Sequence, residues 1–397
     1  MKQISSSQYI LGPHCRGETL PPLSKKIIYI DQFALSYMVR ALHPEMKATG
    51  NSEADYFWLQ LYQKLDKLIK MQIIICPQSH FHLAESIVSN FFEPLEAMYQ
   101  LLSRGFQFPN QSQIKKQQLK ESVLNWLGNS TKHNYSMIGS YHTVFNQNIN
   151  SWLPKTFHYK PTHYSPAYKE ALRKSRERIH QQWIREFCLW KEETRIRFEQ
   201  WKEIFYLSLL KEILSSHPDY RKYINMLPAQ PHYNIKLGYF LIESIEVIEV
   251  IHSVFQEEGI GREALELNTW HYLQSESFRQ IPFLKLYALF YASFARKGGS
   301  GQKSPPDRGT TNDLNMLSLL LPYCDAMFID NQCRSSLEEK DVRDNIDYKT
   351  KVFSLNNKEE FLAYLESLEA DFPLTYRKKV EEIYGVKWIN TPTQLYK

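Results

Sequence analysis

Four carboxylates hold the residue types that could do chemistry in this chain: Asp31, Glu85, Asp313 and Asp330. Carboxylates brought together repel one another and take up protons unless a cation neutralises them. A shared site for these four therefore implies a bound cation. LPYCDAMFIDNQ (321–332) sharpens the question, because it carries an aspartate on each side of a short apolar run. Four apolar residues between polar ones read as a short buried strand. On an extended segment Asp325 and Asp330 lie on the order of 16 Å apart and on opposite faces. They cannot share one metal. Asp330 is assigned to chemistry, and Asp325 to capping a turn or pairing with a base.

The elements that must position these acids follow from periodicity. KKIIYIDQ (25–32) is a buried-strand pattern ending in Asp31, and DYFWLQLYQKLDKLIKM (55–71) has helical spacing. IIIC (73–76) is a second apolar strand. PQSHFHLAESIVSNFF (77–92) then opens a helix, with Ser79 as N-cap. Strand, helix, strand, helix implies a parallel sheet. The rhythm returns near the C-terminus, with helices at 281–296 and about 311–321, the strand AMFI, the strand KVFSL (351–355) and a helix at 359–368.

Ligands of an open parallel sheet gather beyond the carboxyl ends of its strands. Asp31 and Asp330 each follow a strand, so both lie at that edge. A helix feeding a parallel strand runs antiparallel to it, so the N-terminus carrying Asp313 lies there too. Glu85 sits about two turns, roughly 10 Å, into its helix, and reaches the cluster only if that helix packs close.

Other motifs carry less. GGSGQKS fails as a phosphate loop, because Gln302 stands where glycine must precede the lysine and a helix precedes the motif. His82 and Glu85 share a helix face but lack a partner pattern for zinc, so His82 is read as packed or hydrogen-bonded. The helix at 168–214 interleaves Arg, Lys, Trp and Phe with Glu, which fits a solvated face laced with ion pairs. RKGGSGQKSPPDRGTTND (296–313) reads as a flexible loop carrying Arg296, Lys297, Lys303 and Arg308 beside Asp313. Lys303 and Arg308 are the candidate substrate-binding cations.

The 397 residues carry a formal charge of +5, which permits a polyanionic partner without requiring one. The 43% hydrophobic content supports a packed core and excludes wholesale disorder. Cys15, Cys76, Cys188, Cys324 and Cys333 form no CxxC pair, which suits reduced thiols and excludes a disulfide framework. The first 17 residues show no apolar signal region, and the most apolar segment, 281–295, contains Lys285 and is too short to span a bilayer. A cytoplasmic protein without membrane contact is expected.

IIYIDQFALSYM, PQSHFHLAES, TTNDLNML and YCDAMFIDNQ, in this order, resemble the PIN-domain nucleases, particularly their larger bacterial PIN-like members. The resemblance covers 24–92 and 281–370. It implies an α/β, PIN-like parallel-sheet α/β/α domain. Long helical patterns with few strand candidates between 93 and 280 read as an all-helical insertion that splits this domain, and 371–397 as a C-terminal helical extension. The resemblance also implies that Asp31, Glu85, Asp313 and Asp330 are catalytic and bind metal, Mg²⁺ or Mn²⁺, whose preference is for carboxylate and water oxygens. The implied activity is endonucleolytic hydrolysis of phosphodiesters, with RNA preferred. A structure-selective DNase is the neighbouring alternative, and a non-catalytic nucleic-acid or protein-binding module on the same scaffold a third. Retention of all four acids argues against the third. An inhibitory protein partner is left open, as is the oligomeric state. Phe33 departs from the family, which often has a polar residue two positions after the first aspartate.

Overall fold

The apolar run after Lys25 forms β1 (Lys26–Ile30), the second strand of a four-stranded parallel sheet ordered β2-β1-β3-β4. The structure is a computed structural model and describes residues 20–43, 52–89, 91–128, 148–155, 159–228 and 244–394. The N-terminal stretch read for a signal region, with Cys15, lies outside the described residues.

After β1 come α1 (Gln32–Leu42), α2 (Ser52–Lys70), β2 (Ile74–Ile75), α3 (His80–Ser86), α4 (Phe92–Ser103) and α5 (Gln111–Trp126). The middle of the chain holds α6 (Pro166–Glu192), α7 (Phe198–Ser216), α8 (Ser244–Glu257), α9 (Arg262–Gln274) and α10 (Glu276–Arg279). Then follow α11 (Pro282–Gly299), α12 (Thr310–Leu320), β3 (Ala326–Phe328), α13 (Asn331–Glu338), α14 (Lys340–Arg343) and β4 (Lys351–Phe353). The C-terminal helices are α15 (Lys358–Ala370), α16 (Leu374–Tyr384) and α17 (Val386–Asn390). This is a mixed α/β fold with a small, wholly parallel sheet. Among the described residues no helix is long and apolar enough to cross a membrane.

Strand order places the site. From β1 the chain crosses to β2 on one side, and it re-enters at β3 on the other, with Ile28 opposite Ala326 and Ile30 opposite Phe328. The direction of winding reverses between β1 and β3. At such a switch point the connections diverge and leave a crevice beyond the carboxyl ends of the two strands. Asp31 and Asp330 leave those two ends.

Asp325 lies at the opposite edge and acts as scaffold. Its Oδ1 accepts from Lys26 Nζ and its Oδ2 from the Ile27 N–H, both at 2.8 Å. Its backbone N–H donates to Ile27 O at 2.9 Å, and its carbonyl accepts from Lys351 N–H at 3.0 Å. One residue thus joins three strands where β1, β3 and β4 begin. Lys26 is half exposed, so the ion pair itself contributes little, and the bond to the Ile27 amide contributes more. Asp325→Asn should lower stability by about 1 kcal/mol in chemical denaturation and leave any cleavage activity unchanged.

Two expectations about the helices fail. The stretch 168–214 is two helices, because α6 ends at Glu192 and α7 begins at Phe198. Its charged residues do form a solvated face with ion pairs such as Glu170–Lys174, but its tryptophans Trp183, Trp190 and Trp201 are buried in the core. Gly298 and Gly299 do not open a loop. They complete the last turn of α11, where a Cβ on Gly299 would stand 2.7 Å from the Glu193 carbonyl oxygen, and one on Gly298 3.0 Å from Trp190 Cβ. The pair is glycine so that α11 can pass close to the end of α6.

Arg296 and Lys297 are accordingly helical. They pair with Asp341 (3.0 Å) and with Glu339, and are not loop cations. The middle helices share one core with those that flank the sheet. Trp190 Nε1–H donates to Tyr291 OH at 3.1 Å, and Phe205 stacks on Tyr287 at 5.8 Å between ring centres.

Candidate functional site

Asp31 and Asp330 have the same local structure, which follows from a strand meeting a helix. Each is an N-cap with extended backbone: Asp31 Oδ1 accepts from Gln32 N–H at 2.6 Å, and Asp330 Oδ1 from Cys333 N–H at 2.7 Å. The capping role that could explain an isolated aspartate is therefore real here, and it also aims both carboxyls past the strand ends.

Asp313 is different. It lies in the first turn of α12, whose N-cap is Gly309, and the amides there are met by Asp307, whose Oδ1 accepts from Gly309 N–H at 2.9 Å and Thr310 N–H at 2.8 Å. Among the described residues no hydrogen bond or ion pair reaches the Asp313 carboxyl. The helix dipole favours an acid in this first turn, but no cap or ion pair holds this one.

Glu85 reaches the same place because α3 is held against β1. Ser79 caps α3, accepting from the His82 N–H at 3.3 Å, and its own N–H donates to His82 Nδ1 at 3.1 Å. His82 Nε2–H then donates to Ile30 O at 2.8 Å, one residue before Asp31. Both ring nitrogens are engaged by backbone. Burial lowers the His82 pKa to about 4, so the ring is neutral at physiological pH and binds no metal. It is the clamp that brings Glu85 to the strand end.

The four acids line one cavity of about 440 Å³ at the switch point. Oxygens of Asp313 and Asp330 and the sulfur of Cys333 all lie within 4.8 Å of one another. Burial, then the charges of Glu85 and Asp330, raise the Asp31 pKa well above its ordinary value, against the pull of the Gln32 and Asp330 amides. Burial also raises Glu85 to about 7, although the Asn312 amide and the Arg176 guanidinium oppose it. Asp313 is pushed up to about 9 by burial and then by Asp31, Glu85, Asp330 and Asp307. Glu85 and Asp313 keep part of their surface toward the cavity while protein surrounds the rest. Crowded and buried, these carboxyls relieve their mutual repulsion by holding protons, which a bound cation would displace.

The donor set fits a hard divalent cation. It offers carboxylate oxygens, while the Cys333 thiol is raised by burial and by Asp313, so it stays protonated and donates S–H to Asp330 Oδ2 at 3.6 Å. Sequence reasoning did not single out Cys333 within this cluster. Its signal was its position three residues beyond Asp330 on a helix, hence on the same side.

Asn312, which donates its amide to Glu85 Oε1, was also missed. So was Arg176, whose Nη2 donates to Ala84 O at 2.5 Å. Both act across long sequence separations. Of the two candidate substrate cations, Arg308 lines the cavity and pairs with Glu177 at 2.9 Å, whereas Lys303 is exposed and is not part of the lining. Replacing both with alanine should make nucleic-acid binding less salt-dependent, by about 0.7 in log–log slope for each single-strand phosphate that is no longer neutralised. A titration of affinity against salt reads this directly.

No protein-family model, curated protein or solved structure matches the chain. The geometry of the site is therefore what bears on function.

Proposed function

We propose that the chain is a divalent-metal-dependent nuclease of PIN-like type that hydrolyses phosphodiester bonds in nucleic acid, RNA ahead of DNA. The observation that supports it is Asp313: a carboxyl largely enclosed by protein, with no partner among the described residues, beside three others at the switch point of a parallel sheet. Asp31, Asp313, Asp330 and Glu85 are the groups that would hold Mg²⁺ or Mn²⁺. When bound, such an ion supplies an ionised water and stabilises charge on the scissile phosphate and leaving oxygen.

The chain's own groups do the rest. Asp31 and Asp330 are oriented by their helix amides, so their carboxyls are positioned before substrate arrives. Glu85 is held at Oε1 by Asn312, and among the described residues its Oε2 has no partner. Arg176 and Arg308 bring positive charge to the same cavity for the phosphate.

The test is incubation of the purified protein with end-labelled RNA and DNA in Mn²⁺, Mg²⁺ or EDTA, with Asp313→Asn protein as control. RNA cleavage in Mn²⁺ that stops in EDTA and in the variant is expected. Undiminished cleavage in chelator rejects the metal mechanism. Preferential cutting of DNA moves the assignment to a DNase. Binding without cleavage of either leaves a non-catalytic module.

A further inference from the structure

Phe33 gives this acidic site an apolar wall that phosphodiester chemistry does not need. The ring lies two residues after Asp31, lines the cavity and is half-buried. It is held from behind by Phe328 at 5.9 Å and by Trp58 at 6.1 Å between ring centres, so little freedom remains to be lost on binding. Leu172 and Ile179 of α6 line the same cavity and are also half-buried. Seven residues apart, they share one helix face and span about 10 Å along its axis. Helix α6 is fixed there by Arg176 on Ala84 O and by Glu177 on Arg308.

These three side chains offer phosphate and metal no partner, and the acids and arginines of the same cavity serve those groups. The part of a polynucleotide with an apolar face is the base, and aromatic side chains take bases by stacking whatever the sequence. The size agrees. About 440 Å³ lies in the range of pockets for small ligands, whereas a double helix, whose major groove alone is about 12 Å wide, does not enter it.

We propose that Phe33, Leu172 and Ile179 form a nucleobase pocket beside the acidic cluster, in which the helical middle of the chain supplies one wall and an unpaired base inserts next to the scissile phosphate. The assignment rests on the nucleic-acid reading of the acidic site, and deepens it. The substrate is then a strand with at least one unpaired base, and α6 is part of the binding site.

The experiment uses the full chain carrying Asp313→Asn, so that bound strands stay intact. Fluorescence anisotropy in Mn²⁺ compares a labelled single strand, as RNA and as DNA, with an abasic strand of equal length and with a blunt duplex. The base-bearing strand should bind about tenfold more tightly than the abasic one, and more tightly than the duplex. Adding Phe33→Ala or Leu172→Gln should remove that preference. Phe33 also touches the core, so circular dichroism and melting check its variant, and Leu172, further out, gives the second reading.

Equal affinity for base-bearing and abasic strands overturns the pocket. So does a preference that survives in both folded variants. The wild-type cleavage assay runs beside it. Cleavage without base preference keeps the nuclease and rejects the pocket. Base preference without cleavage keeps the pocket and rejects the nuclease. Binding of no nucleic acid rejects both.

Discussion

Asp313→Asn is expected to reduce cleavage about a hundredfold or more, the scale on which a preorganised charge-stabilising group acts, while making the metal-free protein more stable. The amide keeps the shape and removes the charge. No cap is lost, because Asp307 and not Asp313 satisfies the first amides of α12. No ion pair is lost either, since none reaches this carboxyl among the described residues. What is removed is repulsion, the cause that acts with burial to push Asp313 up to about 9. Asp330→Asn should be as inactive and cost no stability, because Asn still accepts from the Cys333 amide as an N-cap. Cleavage rates and melting temperatures in EDTA separate these effects. Full activity in Asp313→Asn, or a lower metal-free melting temperature, would remove Asp313 from the site.

The strand ends were legible because few rules govern them. An apolar run that stops at an acid, placed in a parallel sheet, determines which edge that acid occupies. Asp31, Asp313 and Asp330 lie where that argument puts them. Asp325 was legible by the same rule, as the acid at the wrong end. Glu85 was harder: its distance along α3 gave no assurance of reach, and what closes the gap is the His82 bond to Ile30 O, across 52 residues.

The rest was hidden by long-range contact. Gly298 and Gly299 look like loop residues, and their role exists only because Trp190 and Glu193 pass beside them. Arg296 and Lys297 look available until Glu339 and Asp341, more than forty residues on, take them up. Arg176 looked like one more charge on a solvated helix, but its partner, Ala84 O, lies 92 residues back. Local pattern reports the backbone a segment prefers, not the segment that will pack on it.

The raised carboxyls make a prediction about pH and metal that does not depend on finding a substrate. In EDTA, the melting-temperature gap between Asp313→Asn and wild type should widen as pH rises from 5 to 8. In the folded protein Asp313 keeps its proton up to about pH 9, whereas unfolded it releases it near 3.8. Between those values the folded state binds more protons than the unfolded one, so stability falls as pH rises. Glu85, raised to about 7 from 4.5, acts in the same direction below neutrality. Buried bases act the other way: His82 is lowered to about 4, and Lys25 to about 7, so each favours folding as pH rises through its own window. Both are present in wild type and variant alike, and the difference between the two proteins cancels them. Saturating Mn²⁺ must displace the protons that these carboxyls hold, so its affinity rises with pH. At a hundredfold excess over Kd it adds about 2.7 kcal/mol, or roughly 3 °C for a chain of this length at about 2.1 cal/mol/K per residue. Wild type should therefore gain more from Mn²⁺ at pH 8 than at pH 5, and Asp313→Asn should gain little at either. A gap that stays constant with pH, or an equal Mn²⁺ response in both proteins, would mean that the carboxyls are balanced by the protein itself and have no need of a cation.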